Sequence, residues 1–120
     1  MNISVIIPVY NEENYINEII KKVNNIKINK EIIVINDGST DSTKQKLKQI
    51  NVDKIKIINN EVNNGKGYAI KCALKYVKND IVIIQDADLE YDPSDYPKLI
   101  KPFIERNVSV VYGSRFLEKK

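Results

Sequence analysis

Along this chain, short apolar runs rich in isoleucine and valine alternate with stretches where apolar residues recur every third or fourth position. The runs predict strands at Ile3–Ile7, Glu31–Asn36, Lys54–Asn59, Ile81–Gln85 and Val108–Tyr112. Several are almost continuously β-branched, as strands covered on both faces are. Between them, Tyr15, Ile16, Ile19, Ile20, Val23 and Ile26 fall on one helical face. Ala69, Ile70, Ala73, Leu74 and Val77 do the same in a second helix, and Thr43, Leu47 and Ile50 mark a shorter one. A further helix is expected from about Ser94 to Arg106, with Leu99, Ile100 and Phe103 inward. Pro97 suits its first turn, and Pro102 should kink or shorten it. Strand–helix alternation with short connections predicts an α/β fold: a Rossmann-like, mostly parallel sheet with helices on both faces. Ligands of such sheets bind beyond the carboxyl ends of the strands.

Polar residues of unusual kind follow four of the predicted strands. After the first comes Pro8-Val9-Tyr10-Asn11-Glu12-Glu13. Pro8 is expected to end the strand, Tyr10 can stack on a nucleobase, and Glu12 can accept hydrogen bonds from base or ribose. The same residues also read as a helix start, with Asn11 as N-cap and the two glutamates complementing the dipole. After the second comes Asn36-Asp37-Gly38-Ser39-Thr40-Asp41. Asp37 stands where a carboxylate would meet the edge of a base. Gly38 permits a tight turn, a positive φ or a close approach, and Ser39 to Asp41 resemble helix caps. A plain βα turn explains the segment equally well.

After the fourth strand comes Gln85-Asp86-Ala87-Asp88-Leu89-Glu90. In an extended chain alternate side chains share a face, so Asp86, Asp88 and Glu90 would converge. Three converging carboxylates repel one another unless a cation joins them. Oxygen donors suit Mg²⁺ or Mn²⁺. The alternative is a solvated acidic loop. After the last strand, Arg115 of Tyr112-Gly113-Ser114-Arg115-Phe116 could clamp phosphate oxygens or sit on the surface. Before the second long helix, Asn63-Asn64-Gly65-Lys66-Gly67 could bring backbone to a ligand and Lys66 to a phosphate. This is not the phosphate loop of nucleotide hydrolases, whose glycine spacing and Lys-Ser/Thr pair it lacks.

Composition narrows the chemistry. The chain has 120 residues, 42% hydrophobic and 29% charged, enough for one buried core. Its net charge of 19 − 16 = +3 comes from scattered lysines. That charge does not predict nucleic-acid binding, although it would assist contact with phosphate ligands or anionic lipid. With no histidine and one cysteine, Cys72, the chain excludes Ser-His and Cys-His catalysis, His-ligated zinc and an internal disulfide. The amino terminus does not read as a signal peptide, and no apolar run reaches the ~18 residues of a membrane span. A cytoplasmic chain, at most touching the membrane surface, is expected.

Five segments in order resemble family 2 glycosyltransferases of the GT-A fold: Val5–Glu13, Asn36–Asp41, Asn64–Gly67, Gln85–Glu90 and Val110–Phe116. The nearest likeness is to dolichyl- or polyprenyl-phosphate mannosyl- and glucosyltransferases. The resemblance implies that Pro8, Tyr10, Glu12 and Asp37 line the nucleotide pocket. It identifies Asp86-Ala87-Asp88 with the Asp-x-Asp motif, with Asp88 on the metal, Asp86 also near the ribose, and Glu90 a further ligand. It sets Arg115 against the donor diphosphate or acceptor phosphate. Asp88 and Arg115 would be catalytic, and Lys66, Asp86 and Ala87 would touch the donor. Asn36 stands where many relatives carry Asp.

The implied activity is inverting transfer of a hexose from a GDP- or UDP-sugar, with polyprenyl phosphate as acceptor. Family members are longer, so 1–120 is expected to be one nucleotide-sugar-binding domain without the acceptor half. That leaves a second reading, a split donor-binding module needing a partner subunit or a homodimer. A third, a sugar-1-phosphate nucleotidyltransferase, fits poorly, because the first turn is acidic and lacks glycine.

Overall fold

The computed structural model describes residues 2–87, 93–98, 101, 110–112 and 116–117. The strands are β1 (Asn2–Val9), β2 (Asn29–Asp37), β3 (Ile55–Asn60), β4 (Ile81–Ile84), β5 (Val110–Tyr112) and β6 (Phe116–Leu117). They form one sheet in the order β3-β2-β1-β4-β5-β6. β1 through β5 pair in parallel, and β6 returns antiparallel to β5, with Val110 opposite Leu117. The α/β architecture is the one predicted. The two-residue β6 was not predicted, since so short a strand has no period to detect.

Alternation along β1 explains the layers. Ile3, Val5, Ile7 and Val9 face one side with Ile32, Val34 and Ile83. There they meet Ile16, Ile19, Ile20 and Val23 of α1 (Ile16–Asn24) and Leu47 of α2 (Thr43–Lys48). Ile6 faces the other side with Ile33, Ile35, Val82 and Ile84, against Ala69 and Ala73 of α3 (Lys66–Leu74). The alanines let α3 lie close to the sheet. Helices therefore cover both faces, and each buried isoleucine contributes roughly 1.5–3 kcal/mol by taking its apolar surface out of water.

Two expectations change, and a third falls largely outside the described residues. Pro8 does not end β1, which runs on to Val9. In a parallel ladder a residue's N–H and C=O point to the same neighbour. The Ile6 carbonyl accepts the Gln85 amide, so Pro8 faces the β4 side as well. β4 has ended by then, and no partner needs the hydrogen proline lacks, while Pro8 still pairs in register with Ile35 of β2. Asn11 is not the N-cap of α1. That position is Tyr15, whose carbonyl accepts the first helical bond, from the Ile19 amide at 2.9 Å, while the Glu12 carbonyl accepts the Ile16 amide in the preceding turn. Asn11 instead adopts a positive φ of 51°, and its side chain is used elsewhere. The helix expected over Ser94–Arg106 begins with a 3-10 turn at Pro93–Asp95 and helical residues 96–98. Leu99, Ile100 and Phe103 lie outside the described residues; among those described, Tyr96 enters the core. Among the described residues, no helix is long and apolar enough to cross a membrane.

Two local features hold the carboxyl end of the sheet. The fully buried Tyr96 hydroxyl donates to the Gln85 side-chain oxygen at 2.7 Å, just beyond β4. Gly38 follows β2 with a φ of +72°, and a Cβ there would lie 2.4 Å from the Asn63 nitrogen. Both features make testable demands. Tyr96→Phe should cost about 1–2 kcal/mol in urea denaturation, because a buried acceptor loses its donor. Gly38→Ala should cost more, roughly 3 kcal/mol, since it combines a left-handed backbone with a clash against main chain.

Candidate nucleotide and metal site

The chain order reverses between β1 and β4: β2 and β3 lie to one side of β1, β4 and β5 to the other. A crevice at the carboxyl ends is expected where the order reverses. A cavity of about 320 Å³ lies there. Its lining comes from the end of β1 (Pro8, Val9, Tyr10, Glu12), the end of β2 (Asp37), the loop into α3 (Asn63, Gly65, Lys66), Ala69, and the segment after β4 (Asp86, Ala87).

Pro8, Tyr10, Glu12, Asp37, Lys66, Asp86 and Ala87, singled out from sequence, thus share one cavity. Tyr10 is 44% exposed, which leaves its ring accessible. Asp88, Glu90 and Arg115 lie outside the described residues, and so does any convergence of three carboxylates. Among the described residues no group of three metal-ligating side chains gathers. Val9, Asn63, Gly65 and Ala69 complete the lining. Val9, Asn63 and Gly65 stand in segments noted from the sequence but without a named role in the site, and Ala69 reads only as core.

Asp37 is 3% exposed, and its carboxylate organises the floor. It accepts the Gly65 amide at 2.8 Å and the Asn64 amide at 3.2 Å, with the Asn60 side-chain amide at 3.5 Å. Gly65, with φ 94°, is the N-cap of α3, so a negative charge sits where the helix dipole favours one. The adjacent Asn36 is also buried. Its side-chain oxygen accepts the Ser39 amide and its nitrogen donates to the Asn59 oxygen at 3.0 Å. An aspartate there would lack that donor and would bury a second negative charge beside Asp37.

The loops after β1 and β2 are stitched together. The Asn11 side-chain oxygen accepts the amides of Thr40 (2.8 Å) and Asp41 (3.3 Å), and the Asn11 amide donates to the Ser39 hydroxyl. In return, Glu13 accepts the Ser42 amide. Asp41 accepts the Thr43 amide in the first turn of α2 and the Glu13 amide across the gap. Burial pushes the Asp41 carboxyl up, but hydrogen bonds from Thr43 and Glu13 outweigh it and hold the group below its ordinary value. The expected capping character of Ser39–Asp41 thus resides in Asp41, while Ser42 at the cap makes no side-chain bond.

The Lys66 ammonium bonds the Asp86 carboxylate across the cavity. A cation is thereby seated where the Asp-x-Asp resemblance implies a metal. The available donor, a carboxylate oxygen 21% exposed on its side chain, fits a hard divalent ion in chemistry. The cavity thus carries three carboxylates, Glu12, Asp37 and Asp86, and one ammonium, Lys66, with the amino end of α3 opening beside them.

The family model described as Glycosyl transferase family 2 matches residues 4–120. The dolichol-phosphate mannosyltransferase of Pyrococcus furiosus is 32% identical over 121 residues, 98% of this chain and 34% of that protein. An uncharacterized protein of Methanocaldococcus jannaschii is 36% identical over 118 residues, 98% of this chain and 48% of its own length. The chain therefore spans half or less of the length of these relatives. Among solved structures, S. aureus TarS 1-349 in complex with UDP-GlcNAc superimposes with a TM-score of 0.74 at 31% identity, over 88% of this chain and 32% of that 1-349 chain. A mannosyltransferase from Pyrobaculum calidifontis in complex with GDP-Man and Mn²⁺ superimposes with a TM-score of 0.69 at 26% identity, over 78% of this chain and 29% of its own. The motif order, the sheet with its crevice, and a family match over nearly the whole length agree: this chain belongs to glycosyl transferase family 2 and has the α/β fold of the GT-A enzymes it superimposes on.

Proposed function

We propose that this chain forms the nucleotide-sugar-binding part of an inverting hexosyltransferase. The observation that carries the reading is the gathering of Tyr10, Asp37, Lys66 and Asp86, from four separate chain segments, around one cavity at the sheet's switch point. Nothing in the packing of the core requires these polar groups to meet.

Each residue has a physical task in this reading. Tyr10 offers an exposed ring for the base to stack on. Asp37 holds the loop into α3 and presents its carboxylate edge to the base, while Glu12 and Asp86 lie within reach of the ribose. The amino end of α3 and Lys66 favour the diphosphate. A divalent cation would be held by Asp86, Asp88 and Glu90, and when bound it offsets charge on the departing diphosphate. Arg115 would add a bidentate contact to phosphate oxygens.

In the transfer, an acceptor oxygen bonds to the anomeric carbon from the face opposite the diphosphate. The anomeric C–O bond breaks, and the nucleoside diphosphate leaves with its electron pair. We take the acceptor to be a polyprenyl phosphate, in line with the name of the P. furiosus relative. A phosphate monoester has its second pKa at about 6 and is largely ionised near neutral pH. It therefore needs no strong base, which suits a chain without histidine.

Calorimetry with GDP- and UDP-hexoses in the presence of Mn²⁺ tests the reading. One donor should bind, and Asp88→Ala should weaken it at least about tenfold, the ~1.4 kcal/mol expected for losing a charge-assisted contact. No heat with any donor, together with no effect of Asp88→Ala, rejects the assignment. Binding without sugar transfer to a lipid phosphate would leave a donor-binding module that needs a partner. Lys66 is tested separately. Lys66→Ala should weaken a nucleoside diphosphate about tenfold while leaving the affinity of the bare nucleoside unchanged, because only the diphosphate meets the ammonium.

A further inference from the structure

A larger concavity, of about 740 Å³, lies at the opposite end of the sheet. The amino ends of β1, β2 and β3 and the connection from α3 to β4 enclose it. Lys30, Lys54, Lys56 and Lys78 line it, with Tyr76 and a single acid, Glu31. Their formal sum is 4 − 1 = +3.

Glu31 is already engaged. One of its oxygens accepts the Ser4 hydroxyl at 2.6 Å and the Lys78 backbone amide at 2.7 Å. The ion pairs among the described residues are Lys22–Glu18 and Lys66–Asp86, and neither includes a lysine of this cleft. Two of the lysines, Lys30 and Lys56, are nonetheless held in place. The Lys30 ammonium donates to the carbonyls of Ile26 and Ile28, at 2.6 and 3.2 Å. Burial first, and then the charge of Lys54, lower its pKa. Lys54 has a left-handed backbone, φ 60°, uncommon for a residue with a side chain. The Lys56 ammonium stands 4.4 Å from the Tyr76 ring centroid, which orients it over one face of that ring.

From this arrangement we infer that the cleft is a second anion site, binding a small soluble ligand with a multiply charged phosphate group. Excess positive charge in a concave wall raises the local concentration of such anions. Four lysines against one engaged acid make phosphate the chemistry the cleft favours. β1 separates cleft and donor cavity by its eight residues, roughly 26 Å at the rise of an extended strand. A bilayer docked on the cleft would thus lie at the far end of the sheet from a lipid-borne acceptor. The choice of a soluble ligand over a membrane rests on the acceptor reading above; the anion site does not.

The probe is inorganic pyrophosphate, titrated into ¹⁵N-labelled chain at constant ionic strength without divalent metal. Saturable amide shifts are expected at residues 29–31, 54–56 and 78–79, and Lys54→Gln combined with Lys56→Gln should weaken binding about tenfold. Lys66→Met, altered in the donor cavity, should leave these shifts unchanged. Shifts confined to residues 63–67 and 86, shifts that never saturate, or an affinity unaffected by the double substitution would overturn the site. Vesicles of phosphatidylserine and phosphatidylcholine form the other arm. Vesicle binding abolished by the double substitution, without saturable pyrophosphate shifts, would make the cleft a lipid contact and overturn the soluble-ligand assignment.

Discussion

The buried carboxylate of Asp37 is the contact on which the candidate site depends. It closes the carboxyl end of β2 and accepts the amides of Asn64 and Gly65, so the start of α3 is fixed to the sheet by a charge in hydrogen-bond range. A nearly buried charge is tolerated only when donors surround it. Here the donors are the backbone groups that a helix start leaves unpaired. Gly38, next in sequence, allows this approach by carrying no Cβ against the Asn63 backbone. One short segment thereby sets where Lys66 emerges, and so where the cavity's positive charge lies.

Around that anchor, polar groups hold loops while the apolar layers hold the sheet. The Asn11, Glu13 and Asp41 side chains tie the turns after β1 and β2 to each other through backbone amides. Each such bond contributes only about 1 kcal/mol. Their value to the site is geometric, because Tyr10 and Glu12 are carried on the loop being tied. At the mouth, Lys66 and Asp86 neutralise one another. A diphosphate together with a divalent cation would separate them, giving each a partner of opposite charge. The two ends of the sheet thus differ: the carboxyl end sets the carboxylates of Glu12, Asp37 and Asp86 around one lysine, and the amino end gathers lysines around an acid already in use.

Much of the fold was legible in the chain. Strands covered on both faces need unbroken apolar runs, and helices on a sheet need an apolar stripe at helical spacing, so Ile3–Ile7, Ile81–Ile84 and the face of Ile16 to Val23 declare themselves. The failures share one cause. Asn11 has the composition of a helix cap, yet its amide group serves a neighbouring loop distant in sequence. Pro8 has the composition of a strand end, yet β1 continues because its β4 side has already emptied. Tyr96 lay outside the expected inward set, yet its hydroxyl finds Gln85 across the core. Each depends on a partner that local pattern cannot reveal.

By itself, the sequence determined the layered α/β class, the order of its elements, and the candidate residues Tyr10, Asp37, Lys66 and Asp86, because periodicity and residue chemistry are local properties. Which residues meet was decided only by the tertiary structure. The strand order brings the ends of β1, β2 and β4 to one cavity, binds Lys66 to Asp86, and collects Lys30, Lys54, Lys56 and Lys78 at the other end. Pairing between distant segments follows from how the sheet assembles, and no window along the chain contains it.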